Sequence, residues 1–314
     1  MKKHRGILGV LLLSILIFVC LAGICSKNFR QDEPIETVDF SVFQEEVEEI
    51  PYSNQVSLEK PDISQVQAQK IVVCIDPGHF KDASVLEGEN LYDYQEGIFT
   101  LNIALSLRDE LAKYGIESYL TRETDDITID GFTNKELDKK HLSLRGEAAK
   151  GADFFVSLHT NANKDDANGY DTCSQPVEIN KTILILNQIA CKEQKYIDIA
   201  NELGQAITNV NYEKGISYSS DFRQIEMTGI TEWTSDYNDS LNTPGTVFVR
   251  TGEDGDFYGV LRGASNVGVA GIIIEHGFHT IEELRRLAMQ DDLALEYAKA
   301  DAYAIAKGFG LIKE

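Results

Sequence analysis

The stretch Ile71-Val72-Val73-Cys74-Ile75-Asp76-Pro77-Gly78-His79 decides how the rest of the chain reads. From Ile71 to Ile75 it is uninterrupted, apolar and mostly β-branched. That is the pattern of a strand covered on both faces in a parallel sheet; a half-exposed strand would alternate with polar residues. Asp76-Pro77-Gly78 ends it, because proline has no amide hydrogen to continue a ladder and glycine opens a turn. His79 therefore stands at the carboxyl end of a buried strand, the edge of an open α/β sheet where ligands bind.

Working outward, the same grammar repeats. Glu96 to Tyr114 places Ile98, Leu101, Leu105 and Leu111 at near-helical spacing and stops at Gly115. Ile116 to Leu120 predicts a second strand. His141 to Lys150 has helical spacing up to Gly151, after which Phe154 to Leu158 predicts a third buried strand running directly into His159. Ile197 to Val210 predicts an amphipathic helix, Ile272 to Ile274 a short strand leading into Glu275, and Ile281 to Phe309 one or two closing helices. Strands alternating with helices predict an α/β fold with a mostly parallel sheet. Gly215 to Gly255 is rich in Ser, Thr, Asp and Tyr, contains Trp233 and keeps no period. It reads as an insertion, a long loop or hairpin able to wall a groove.

Upstream of Lys70 the composition changes. Lys2, Lys3, His4 and Arg5 precede an uncharged run from Gly6 to Ile24. As a helix that run is about 28 Å long, close to the thickness of a bilayer's hydrocarbon core. Residues 1–27 are thus expected to be a signal sequence or membrane anchor, with everything after them extracytoplasmic. Residues 28–69 hold Glu45, Glu46, Glu48 and Glu49 along with Pro34, Pro51 and Pro61, and read as an acidic, solvated linker. Residues 70–314 form the globular domain. A net charge of -22 over 314 residues excludes nucleic acid as a partner, since phosphates would be repelled over most of the surface. Among the cysteines, Cys20 and Cys25 belong to the apolar run and Cys74 to a buried strand. Cys173 and Cys191 are left to pair or to stay as thiols.

Chemistry concentrates just after the predicted strands, at His79, His159 and Glu275, with Glu96 at the start of the first helix. Singly, each has an ordinary reading: a packed histidine, a first-turn glutamate beside the helix dipole, a buried structural carboxylate. Together, two imidazoles and a carboxylate make a three-ligand set for catalytic zinc with a fourth position left for water. A second carboxylate then serves to carry the proton. Such a set suits amide hydrolysis. His276 follows Glu275 in a strand and should face away from it, so His276 and His279 are expected in supporting roles. Asp76 and Gly78 are expected to shape the turn that aims His79.

Five segments carry a resemblance in order along the chain: Ile71 to His79; Glu96 opening its helix; Leu120-Thr121-Arg122; Arg145 followed by Gly151 to Ala162; and Ile274-Glu275-His276-Gly277-Phe278. Together they resemble the zinc-dependent N-acetylmuramoyl-L-alanine amidases from about Ile71 to the C-terminus. The resemblance implies a twisted, mostly parallel six-stranded sheet flanked by helices, with zinc bound by His79, Glu96 and His159 and Glu275 as general base and acid. The implied substrate is the amide between N-acetylmuramic acid and L-alanine in peptidoglycan, reached from an anchor in the membrane or by secretion to the wall. A protein activator is a further partner compatible with this reading. Asn161 and Asn163 could contact substrate or simply serve a turn. Arg262, in a Leu261-Arg262 pair, could hold a peptide carboxylate or make a surface salt bridge. The chain departs from the family in Phe80, where glycine is common, and in the longer connection from Gly169 to Gly263; both bear on substrate preference. A zinc peptidase cutting another stem-peptide amide would use the same ligands. A silent wall-binding or regulatory domain would keep the fold, but the complete ligand set with Glu275 argues against it.

Overall fold

The computed structural model describes residues 70–87, 91–162, 164–165, 169–170, 181–216, 230–232, 247–290 and 292–312. The expected anchor and acidic linker, Asn163, Cys173 and Trp233 lie outside these residues. Among the described residues, no helix is long and apolar enough to cross a membrane.

The central sheet is built from β1 (Val72–Pro77), β2 (Glu117–Leu120), β3 (Phe154–Asn161), β4 (Ile183–Leu186), β5 (Ile230–Glu232), β6 (Val247–Val249) and β7 (Gly271–Phe278). In space the order is β5-β6-β4-β7-β3-β1-β2. Every pairing is parallel except β4 with β7, so the mostly parallel sheet predicted from the sequence is present, with the short β5 added at one edge. The uninterrupted apolar run of β1 has the predicted consequence: Val73, Cys74 and Ile75 are fully buried. Burial also pushes the Cys74 thiol up to about 12, which leaves it as a small hydrophobe.

Three strands depart from the sequence reading, which placed none between Leu158 and Ile272. Ile183–Leu186 is an apolar run too short for its period to separate strand from helix. Two three-residue strands, β5 and β6, come from the stretch read as a loop or hairpin insertion. They pair with each other and join the sheet through β4, so part of that stretch belongs to the core architecture.

The helices are α1 (Glu96–Lys113), α2 (Asn134–Lys139), α3 (Leu142–Glu147), α4 (Gln194–Glu213), α5 (Gly259–Asn266), α6 (Glu282–Gln290) and α7 (Leu293–Gly308). Gly115 ends α1 as expected: at φ 76° it lets the Ile116 amide donate back to Leu111 O at 3.2 Å. The short α2, absent from the sequence reading, is started by a capping box between Thr133 and Glu136.

Alternation along β7 shows which helices cover which face. His276 is fully buried and bonds to Asp301 of α7, whereas Glu275 faces a cavity lined by Leu142 of α3 and by Gly259 and Val260 of α5. One face of the sheet thus carries α4 and α7, and the other carries the α3–α5 pair. Those two helices meet backbone to backbone: a Cβ on Gly146 would fall on the Val260 carbonyl, and one on Gly263 on the Ser143 carbonyl. Close approach places the α5 wall directly over the strand ends. Gly146→Ala should therefore cost about 1–3 kcal/mol through overpacking, read as a lowered urea midpoint. A midpoint equal to the parent's would show that the helices can separate freely.

Candidate functional site

The turn after β1 is held under strain. His79 sits in the left-handed region at φ 61°, a conformation that costs a non-glycine residue about 1–3 kcal/mol unless its surroundings enforce it. Three contacts enforce it here. The Gly78 amide donates to Leu158 O at 2.9 Å, the Thr100 hydroxyl donates to Gly78 O at 2.7 Å, and the buried Arg122 guanidinium donates to Pro77 O at 3.3 Å and to Gly97 O at 2.5 Å. Gly78 has no room for a side chain, because a Cβ would come within 2.6 Å of His159 Nδ1. As expected, Gly78 shapes the turn, and it does so by letting the backbone of β1 pass against the second histidine.

His79, Glu96 and His159 converge at this point. His79 Nε2 lies 3.4 Å from Glu96 Oε2, and His159 Nδ1 lies 3.4 Å from Glu96 Oε1. The two rings stand edge to face with centroids 4.9 Å apart. Glu96 is 2% exposed, and its Oε1 also accepts the Thr160 amide at 3.0 Å. Burial favours the neutral carboxyl, but the imidazoles, His79 foremost, outweigh it and hold Glu96 well below the usual carboxylate range. Burial likewise works to lower His79, yet Glu96 and Asp138 lift its imidazole to about 9. A field negative enough to favour an imidazolium also favours a divalent cation. His159 is lowered, chiefly by burial, towards the neutral form that ligates metals. The donor atoms of the three side chains lie within 4.8 Å of one another. Two partly buried imidazoles around a buried carboxylate fit the ligand set of a catalytic zinc.

Glu275 pairs in register with His159 across β7 and β3, so both stand at the same strand edge. They line a cavity of about 250 Å³ together with His79, Asp138, Arg145 and Tyr258, with Leu142, Gly259, Val260 and Ile273 as its apolar wall. His276 and His279 take the supporting places expected of them. His276 Nδ1 donates to His159 O at 3.1 Å, and its Nε2 lies 2.9 Å from Asp301 Oδ2. His279 Nδ1 is 3.0 Å from Thr160 Oγ1, and its ring stacks on Tyr94.

The two proposed substrate contacts stand apart from this cavity. Asn161 Oδ1 accepts the amide of Ala162 at 2.7 Å, the local turn contact that was the alternative reading. Arg262 donates to Asp256 O at 2.9 Å. Phe80 does not narrow the site. It is 3% exposed and packs with Ile127 and Leu137 in a small separate core that supports α2.

Sequence reasoning missed Asp138 and gave no role to Ser157 or Arg145. Asp138 Oδ2 accepts from His79 Nδ1 at 3.1 Å, and its Oδ1 accepts from Arg145 at 3.1 Å. Ser157 Oγ donates to Asp76 Oδ2 at 2.7 Å. Arg145, 1% exposed, grips Asp76 with Nε at 3.0 Å and a terminal nitrogen at 2.7 Å. The only sequence cue to Asp138 was the Thr133–Glu136 spacing, which announces a helix but not its direction.

Comparison with known proteins follows the same lines. Residues 73–307 match a family model described as N-acetylmuramoyl-L-alanine amidase. Among solved structures, the chain is similar to the catalytic domain of CwlV, an N-acetylmuramoyl-L-alanine amidase from Bacillus (Paenibacillus) polymyxa var. colistinus. That match has 18% identity and a TM-score of 0.48, covering 77% of this chain and 99% of that one. It is also similar to the N-acetylmuramoyl-L-alanine amidase AmiC2 of Nostoc punctiforme, with 22% identity and a TM-score of 0.42 over 76% of this chain and 94% of that one. A third is the CwlD amidase from Clostridioides difficile, in complex with the GerS lipoprotein, with 17% identity and a TM-score of 0.45 over 77% and 97%. No curated protein matches.

Asp76 offers a direct test of the electrostatics. Burial works to raise its pKa, but the Arg145 guanidinium and the hydroxyls of Thr121 and Ser157 outweigh that and hold it below the usual range. Asp76→Asn should destabilise the chain by about 3–5 kcal/mol at neutral pH by removing the bidentate partner of Arg145 and leaving Asp138 as its remaining carboxylate. Because the folded pKa is depressed, this contribution is present above the unfolded value of about 3.9 and is lost as pH falls through the folded value. The gap between parent and variant urea midpoints should accordingly shrink in acid; a gap independent of pH would rule out the ion pair as its source.

Proposed function

The chain belongs to the N-acetylmuramoyl-L-alanine amidase family, and from that premise we propose that it hydrolyses the amide between N-acetylmuramic acid and L-alanine in peptidoglycan with zinc held by His79, Glu96 and His159. The observation that carries this reading is the cluster of the two histidines around the buried Glu96, with Glu275 sharing one cavity with His79 and His159. A zinc ion held by this donor set would supply hydroxide at neutral pH and polarise a carbonyl. Glu275 is the general base that takes the proton from the attacking water and, as general acid, returns it to the leaving amide nitrogen. Its register beside His159 suits both steps, since one carboxylate can then serve the water and the leaving group in turn. Leu142, Val260 and Ile273 supply an apolar wall that excludes bulk water from the reacting amide.

Asn161 and Arg262 are proposed to meet the substrate farther from the reacting bond. Arg262 gives one of its five donors to Asp256 O and has others for a stem-peptide carboxylate. An extracytoplasmic location fits a wall substrate. The basic N-terminus followed by the uncharged run of residues 6–24 supports a chain that is anchored in the membrane or secreted to the wall.

The test is product analysis of purified peptidoglycan treated with the full chain, with and without a chelator. Release of stem peptides with free L-alanine amino termini, abolished by the chelator, is the expected result. Cleavage at another stem-peptide amide would replace this reading with a peptidase. Glu275→Ala should lower turnover by at least about 100-fold while leaving zinc content at the parent's value, and His79→Ala should reduce both. Loss of zinc from Glu275→Ala would make Glu275 a ligand and overturn the role assigned to it.

A further inference from the structure

We propose that Arg145 is a positioning residue for both histidines of the metal centre, setting through two separate arms which nitrogen each imidazole turns toward Glu96. The proposal rests on the zinc reading above. One arm runs through Asp138, whose Oδ1 accepts from Arg145 at 3.1 Å while its Oδ2 contacts His79 Nδ1 at 3.1 Å. A carboxylate only accepts, so Nδ1 carries the hydrogen and Nε2 is the nitrogen presented to Glu96. The other arm runs through Asp76, which Arg145 grips with two nitrogens and whose Oδ2 also takes the Ser157 hydroxyl hydrogen at 2.7 Å. With its single hydrogen committed, Ser157 Oγ has only lone pairs for His159 Nε2 at 3.2 Å. Nε2 therefore carries the hydrogen, and Nδ1 faces Glu96.

The two imidazoles thus use opposite nitrogens, and one buried guanidinium sets both. The fork of Arg145 makes this feasible, because its donors leave in fixed directions from one plane and reach Asp76 and Asp138 at once; a lysine ammonium has no such fork. The arms are unequal. His79 ends on a carboxylate and His159 on a hydroxyl, and hydrogen bonds to ionised acceptors are about twice as strong as neutral ones. An arginine on a six-residue helix, far in sequence from both ligands, then controls how well the centre holds its metal.

Three variants of the full chain test this: Asp138→Asn, Ser157→Ala and Arg145→Lys. The readouts are the zinc dissociation constant by competition with a chromogenic chelator at neutral pH, the melting temperature without metal, and nitrogen–proton correlation spectra of the histidine rings. An amide has one carbonyl and cannot accept from both His79 and Arg145, so Asp138→Asn should weaken zinc binding about 10–100-fold. Ser157→Ala should weaken it less, and Arg145→Lys at least as much as Asp138→Asn. Asp138→Asn and Ser157→Ala each take a partner from the buried Arg145–Asp76 pair, so both should melt lower without metal, but the fall should not scale with the loss of zinc affinity. The parent loaded with zinc should show a hydrogen on His79 Nδ1 and on His159 Nε2. A parent that takes up no zinc sinks the zinc reading and this inference with it. A parent that binds zinc while all three variants bind within twofold of it sinks this inference alone. So does a loss of affinity that in every variant matches a fall in metal-free melting temperature, or a ring spectrum with the opposite nitrogens protonated.

Discussion

A guanidinium buried between two carboxylates ties the sheet to its helices. Arg145 is 1% exposed and Asp76 is fully buried, so neither charge has water to compensate it. Each charge must find its partners within the fold, and the geometry must be good for the pair to be tolerated at all. The partners come from five places: Asp76 at the end of β1, Thr121 just after β2, Ser157 on β3, Asp138 on α2 and Arg145 itself on α3. Any shift of one element against another would strand a charge. The carboxyl ends of three neighbouring strands are therefore locked in register with two short helices, and the two candidate histidine ligands stand at two of those ends.

Beside this pair the chain passes through a turn of unusual backbone. His79 has a left-handed φ, Gly78 passes too close to His159 for any side chain, and Arg122 and Thr100 secure the carbonyl oxygens of the same turn. Strain of this kind persists only where the surroundings over-determine it. Here it brings two imidazoles and a carboxylate into one cluster. The α3–α5 contact performs a related task. Its glycines let two helices approach closely enough for Leu142 and Val260 to wall the cavity in front of Glu275.

Strand periodicity divides the roles of neighbouring residues. Glu275 faces the cavity, and His276, one residue later, is buried against Asp301 and Tyr297 on the opposite face of the sheet. Two adjacent ionisable residues thus take different places, one lining the cavity and the other buttressing the backbone at His159 from behind.

Features whose physics is local were legible in the residues alone. Five consecutive apolar residues announced a doubly covered strand, a helical stripe announced α1, and the strand ends marked His79, His159 and Glu275 as the place for chemistry. The opposite orientations of Glu275 and His276 followed from the two-residue repeat alone. Tertiary structure decided what depends on direction across long stretches of chain. Asp138 reaches His79 across 59 residues because Phe80, Ile127 and Leu137 pack into a small core that orients a six-residue helix, and no period in the sequence encodes that angle. Strands β5 and β6 are three residues each, too short to have a period, and they form because β4 offers an edge to pair with. That the side chains of Asn161 and Arg262 bond a local amide and a main-chain carbonyl is likewise visible only in the fold. Local patterning records which face of an element is buried. Where a side chain points once that face is buried is settled only when the elements pack.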